Sequence, residues 1–91
     1  MAWITKLTPK AEKQSIKLPK SVMAALLMLM QDIETLGPVR GDWPNYGKLT
    51  GSRHHCHLKK GNPTYVAVWT VDKETIKVEV TYVGTHEKAP Y

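Results

Sequence analysis

Three consecutive strand-like runs fill the second half of this chain: Arg53 to Lys59, Thr64 to Val71 and Ile76 to Val83. Their connectors, Lys60-Gly61-Asn62-Pro63 and Asp72-Lys73-Glu74-Thr75, have hairpin length and turn-forming composition, which holds the runs in neighbouring antiparallel positions. An antiparallel meander is therefore expected. In the last run, period-two alternation sets Ile76, Val78, Val80 and Tyr82 against Lys77, Glu79 and Thr81. Such a sheet has a core side and a solvated side, and helices must cover the core side.

The first half supplies that cover. Residues Trp3 to Leu7 read as a short strand that stops at Thr8-Pro9, with Thr8 as N-cap and Pro9 at the first position of a helix. The stretch Pro9 to Lys17 is rich in lysine and has only Ala11 and Ile16 as apolar anchors, so it fits a solvated helix or a frayed linker. From Leu18-Pro19-Lys20-Ser21 the strongest helix begins. It carries Val22, Leu26, Leu29, Ile33 and Leu36 at spacings of three and four and ends at Gly37-Pro38. Met23, Met28 and Met30 widen its apolar band into core packing plus a patch for a partner. Residues Val39 to Gly51 place Gly41, Pro44, Gly47 and Gly51 around Trp43 and Tyr46, an irregular loop anchored by aromatics. The expected class is α+β: a short N-terminal strand, one or two helices, then the meander completing a small twisted sheet packed on the helices.

At 91 residues the chain is long enough for one domain, residues 1–91, with a single modest core. Thirteen Lys and Arg against eight Asp and Glu give a formal charge of +5, and the pI is near 9.4. That balance favours an acidic partner such as nucleic acid or an acidic protein. Cys56 is the single cysteine, so no intrachain disulfide forms and a reducing cytoplasm is the expected setting. The longest apolar run, Val22 to Met30, is about half of the roughly 20 residues that span a bilayer, and a buried helix is expected there with no membrane association.

Basic and proton-transferring residues concentrate in the last third. On a strand from Arg53, residues Arg53, His55 and His57 share one face, while His54, Cys56 and Leu58 share the other. If Cys56 and Leu58 point to the core, His55 and His57 stand on the exposed face, able to meet a phosphate or pass a proton. The tail after Gly84 adds His86, Glu87, Lys88 and Tyr91. With the sheet ordered as in the chain, the tail is expected near the start of the histidine-rich strand. Phosphodiester cleavage needs a base for the attacking 2′-hydroxyl, an acid for the leaving 5′-oxygen and cations for the charge on phosphorus. His, Tyr, Lys and Arg supply all three with no cofactor. A different reading makes His55, His57 and His86 ligands of zinc or iron, although no paired Cys or carboxylate motif stands at ligand spacing.

The order of these elements resembles the RelE/ParE superfamily of toxins, in particular its RelE, HigB and YafQ branches. The carrying features are a short strand, a helical pair ending in Leu36-Gly37-Pro38, a Trp-bearing loop closing on Lys48-Leu49-Thr50-Gly51, and a basic strand followed by two more, the last ending Val83-Gly84-Thr85-His86. The resemblance implies the toxin component of a type II toxin–antitoxin system. Such a protein is a ribosome-dependent mRNA endonuclease, or mRNA interferase, that binds a cognate antitoxin in a hetero-oligomer and inhibits translation by metal-independent cleavage of messenger RNA. By that resemblance the catalytic residues are His86, His57, His55 and Tyr91, and the RNA phosphates are held by Arg53, Lys59, Lys60 and Lys88. RelE-like members often carry an Arg in the strand that reads here Thr64-Tyr65-Val66-Ala67-Val68-Trp69, where this chain has none. Arg53, Lys59 or Lys88 would then neutralise the phosphate. The ParE-like branch implies instead a non-enzymatic inhibitor of DNA gyrase, and the histidine content argues for RNA cleavage.

Overall fold

A computed structural model describes residues 2–91. Its elements are β1 (Ile4–Leu7), α1 (Pro9–Ile16), α2 (Lys20–Leu36), β2 (Gly47–Lys48), β3 (Arg53–Lys59), β4 (Tyr65–Asp72) and β5 (Lys77–Thr85), followed by a 3₁₀ turn over His86–Lys88. Thr8 caps α1 by accepting a hydrogen bond from the Ala11 amide through its side chain, with Pro9 at the start. The lysine-rich stretch is thus a helix. It holds to the sheet through buried Ala11 and Ser15, and the Gln14 side chain accepts a hydrogen bond from the Val83 amide at 3.1 Å.

The five strands form one sheet in the order β1-β5-β4-β3-β2, and the three long strands are an antiparallel meander as expected. Two pairings extend it. β1 lies parallel to β5, and the two-residue β2 pairs antiparallel with β3, so the segment from Val39 to Gly51 is not wholly irregular. Its aromatics still anchor it. Trp43 donates its indole N–H to Asp32 at 2.9 Å, and the Tyr46 hydroxyl meets His54 Nδ1 at 2.7 Å.

The helices cover one face of the sheet. Val22, Leu26, Leu29 and Ile33 of α2 pack with Cys56, Leu58, Ala67, Trp69, Val78, Val80 and Val83 in a continuous apolar core. Leu36 does not join them: it is 67% exposed, because the helix ends there and Gly37 turns the chain away with φ of 101°. Met23 and Met30 pack on the core, whereas Met28 stays exposed.

Two β-bulges shift the alternation that the sequence shows. Val80 lies opposite Trp69 and Tyr82 opposite Val68, so Thr81 has no partner of its own and the strand changes phase. Tyr82 therefore leaves the face of Val78 and Val80 and joins Val66 and Val68 on the far side of the sheet. That far side is not simply solvated. It carries a second, smaller apolar cluster against which Leu49 and Ala89 pack. The other bulge lies between His57 and Lys59 on β3.

Candidate active site

β3 divides its side chains between the two faces. Cys56 and Leu58 point into the core, and burial pushes the Cys56 thiol up to about 12, so it is inert. His54 is buried with them, stacked on Trp69 with ring centroids 5.8 Å apart and bonded to Tyr46. His55 and His57 take the far face.

The C-terminal segment lies on that same face. Strands β3 and β5 both run antiparallel to β4, so β5 ends beside the end of β3, not its start. The chain then doubles back. The His86 amide donates to the Thr64 carbonyl at 2.8 Å, Ala89 seats on the far-side apolar cluster, and Arg53 donates to the Pro90 carbonyl at 3.3 Å. The tail thus reaches the start of β3 only at its last residues.

This return path lines up four rings. His57 meets His86 edge-on at 5.6 Å, His86 meets Tyr91 edge-on at 5.8 Å, and Tyr91 lies 4.6 Å from His55 between centroids. All four residues expected to be catalytic are therefore contiguous. Two glycines make room for this. A Cβ on Gly47 would lie 2.8 Å from His55 Nε2, and one on Gly84 would lie 2.7 Å from the Tyr82 hydroxyl, which donates to the Thr85 carbonyl.

The Nδ1 atoms of His55 and His57 are buried and have no hydrogen-bond partner among the described residues. Burial opposes a charged imidazole, and nearby cations add to the effect. His57 is lowered from the ordinary histidine value by burial first, then by His86, His55 and Lys60. His55 is lowered by burial and by His86. Both are neutral at neutral pH. Burial above all raises Tyr91, keeping its phenol protonated.

The cations expected to hold phosphate divide by position. Arg53 stands on the histidine face beside the tail, and Lys60 is exposed where the hairpin begins. Lys59 is turned away. The bulge places it opposite Tyr65, and its ammonium meets Ser21 at 3.2 Å on the helix side. Lys88 borders a groove of about 640 Å³ on the other side of the tail, shared with Lys10 and Lys17. Between the β3–β4 hairpin and the 3₁₀ turn lies a smaller cleft of about 230 Å³, walled by His57, His86, Asn62, Pro63 and Glu87. Asn62, which the sequence reads as turn chemistry, lines this cleft.

Among the described residues no group of three or more His, Cys, Asp or Glu is arranged to hold a metal ion. The metal-binding reading of His55, His57 and His86 therefore lacks a ligand set, since Tyr91 stands on His55 while His86 packs on His57.

The fold and the ring array define a class before any individual relative: a two-helix, mixed-sheet α+β domain of the RelE type. Solved structures of that type match almost the whole chain. The chain is similar to an arginine-substituted E. coli toxin RelE in the free state, with TM-score 0.77 and 23% identity over 98% of this chain and 88% of that one. It is also similar to the intact E. coli RelBE toxin–antitoxin complex, with TM-score 0.71 and 23% identity over 96% and 100%. The YoeB dimer from Staphylococcus aureus matches with TM-score 0.72 and 15% identity over 94% and 99%. No protein-family model matches the chain, and no curated protein matches it. The chain has the RelE-like fold. Among the described residues no helix is long and apolar enough to cross a membrane.

Proposed function

We propose that this chain is the toxin of a type II toxin–antitoxin pair and cuts messenger RNA on the ribosome by metal-independent transesterification. The observation that carries the reading is the contiguous array of His57, His86, Tyr91 and His55 on the far face of a RelE-like sheet. In the step proposed, His57 takes the proton of the 2′-hydroxyl as its oxygen attacks phosphorus. Its lowered pKa suits a base that must be neutral. The bond to the 5′-oxygen breaks, and His86 gives that oxygen a proton. The products are a 2′,3′-cyclic phosphate and a 5′-hydroxyl. Arg53 and Lys60 border the reacting phosphate and offset its growing charge, and neutral His55 lines the same face. Tyr91 holds the His55 and His86 rings in place and supplies a face for a base to stack on.

An antitoxin partner is part of the proposal, supported by the toxin–antitoxin complexes among the similar structures. A segment with acidic and apolar side chains would complement the +5 charge. The test is to induce the wild-type chain and the His86→Ala, Tyr91→Ala double variant in cells and to map messenger 5′ ends. New ends inside translated codons with wild type alone are expected. Growth arrest without new ends would overturn the endonuclease and point to a protein target such as gyrase.

A further inference from the structure

We infer that Tyr82 is a positioning residue for His86, its hydroxyl fixing the peptide that carries the proton-donating imidazole; the inference rests on the endonuclease reading. The unpaired Thr81 sends Tyr82 to the histidine face of the sheet. There its ring lies 8% exposed against Val66 and Val68, and its hydroxyl reaches the start of the 3₁₀ turn.

A single 3₁₀ turn does little to set its own direction. This one is closed by the Ala89 amide donating to the His86 carbonyl at 3.2 Å, and Thr85 at its N-cap makes no side-chain capping bond. His86 is exposed, and its ring meets His57 and Tyr91 edge-on. The peptide between Thr85 and His86 therefore orients the imidazole. Both of its polar ends are held. Its N–H donates to the Thr64 carbonyl at 2.8 Å, and its C=O accepts from the Tyr82 hydroxyl at 2.7 Å. A planar peptide held at one end still pivots about that bond, whereas one held at both ends fixes where the next side chain departs. Thr64 is itself tied to the Gly61 carbonyl through its hydroxyl at 2.9 Å, so one anchor belongs to the hairpin and the other to the far-side cluster.

Tyr82 reaches the carbonyl because residue 84 has no side chain. A Cβ on Gly84 would lie 2.7 Å from the hydroxyl and 3.1 Å from Cζ. A phenylalanine ring would fill the same apolar cluster, so packing alone has no use for the hydroxyl. Its hydrogen bond goes to the peptide of His86.

The experiment is single-turnover cleavage by purified wild type, Tyr82→Phe, Gly84→Ala and His86→Ala on ribosomes carrying a short message. The leaving 5′ atom is either oxygen or sulfur, placed at the cut that 5′-end mapping locates. A thiolate leaves without a proton, so sulfur suppresses a defect in acid positioning, whereas a general loss of folded protein slows both messages alike. Tyr82→Phe should cut the oxygen message about tenfold more slowly, short of the roughly 10²–10⁴-fold of a lost acid because the imidazole remains. It should cut the sulfur message near the wild-type rate. His86→Ala should show the same pattern at larger size, and Gly84→Ala, which displaces the hydroxyl, should match Tyr82→Phe. A wild-type rate for Tyr82→Phe on oxygen, or equal slowing of both messages, would overturn the role of Tyr82 and leave the endonuclease standing. Equal slowing of both by His86→Ala would overturn the acid assignment and the role of Tyr82 with it. No cleavage by wild type would overturn the endonuclease and the inference together.

Discussion

His54 and His55 are neighbours on one strand and live in different chemistry. His54 faces the helices, 4% exposed, stacked on Trp69 and bonded to Tyr46, with its pKa lowered by burial and then by Lys48 and Lys73. Packing and one hydrogen bond account for it fully. His55 and His57 face the other side, where a thin apolar cluster and a returning tail cover them, and their Nδ1 atoms find no partner within the chain. A helix-covered face satisfies its imidazole; a tail-covered face leaves imidazoles neutral and unengaged. The second arrangement is less stable for the fold and better suited to moving protons.

The contrast can be broken most directly with paired histidine variants. His57→Ala should reduce cleavage by a factor on the order of 10²–10⁴ while leaving the melting temperature nearly unchanged. His54→Ala should do the reverse, lowering stability by about 1–3 kcal/mol through the unpaired Tyr46 hydroxyl. Equal effects of the two on cleavage would dissolve the distinction. On the helix side, Trp69→Ala should cost about 3–5 kcal/mol in denaturant unfolding, because the indole is wholly buried and also donates to the Pro38 carbonyl at 3.1 Å.

A smaller effect is expected on the far face from Gly47→Ala, whose new methyl would press on His55 Nε2. About 1–3 kcal/mol should be lost, together with cleavage, as His55 is pushed against Tyr91. Least in size is a pH effect that both faces share. His54, His55 and His57 all have folded pKa values below the ordinary 6.5, so the unfolded chain binds more protons in that range. Their contribution is complete well above pH 6.5 and is lost as pH falls through the lowered values. The melting temperature should drop between pH 8 and pH 5.5, and a rise would contradict the neutral assignment.

Much of this architecture was legible because local chemistry and tertiary packing agree. Thr8-Pro9 caps a helix, α2 buries the stripe from Val22 to Ile33, and β3 matches its sequence run from Arg53 to Lys59. The gathering of imidazole and phenol groups was legible as a set of residues, since the rings of His55, His57, His86 and Tyr91 do meet. The paths between them were not. A bulge inserts one residue without altering composition, so neither the crossing of Tyr82 at Thr81 nor the turning of Lys59 toward Ser21 shows in an alternating pattern. A two-residue strand such as β2 has no periodicity to read. The direction of the tail depends on β3 and β5 being co-aligned, a tertiary fact that fixes where a connection must return.

The parallel pairing of β1 with β5 has a consequence for the order of events in the cell. Ile4 bonds to the carbonyl of Ile76, so the sheet joins segments far apart in the chain. Contacts of such long sequence separation make folding slow and late. During synthesis β1 leaves the ribosome well before its partner exists, and the histidine array cannot assemble until β5 and the following turn have emerged. The ring array is therefore among the last features of the chain to form, and a nascent chain that has not yet released β5 lacks it.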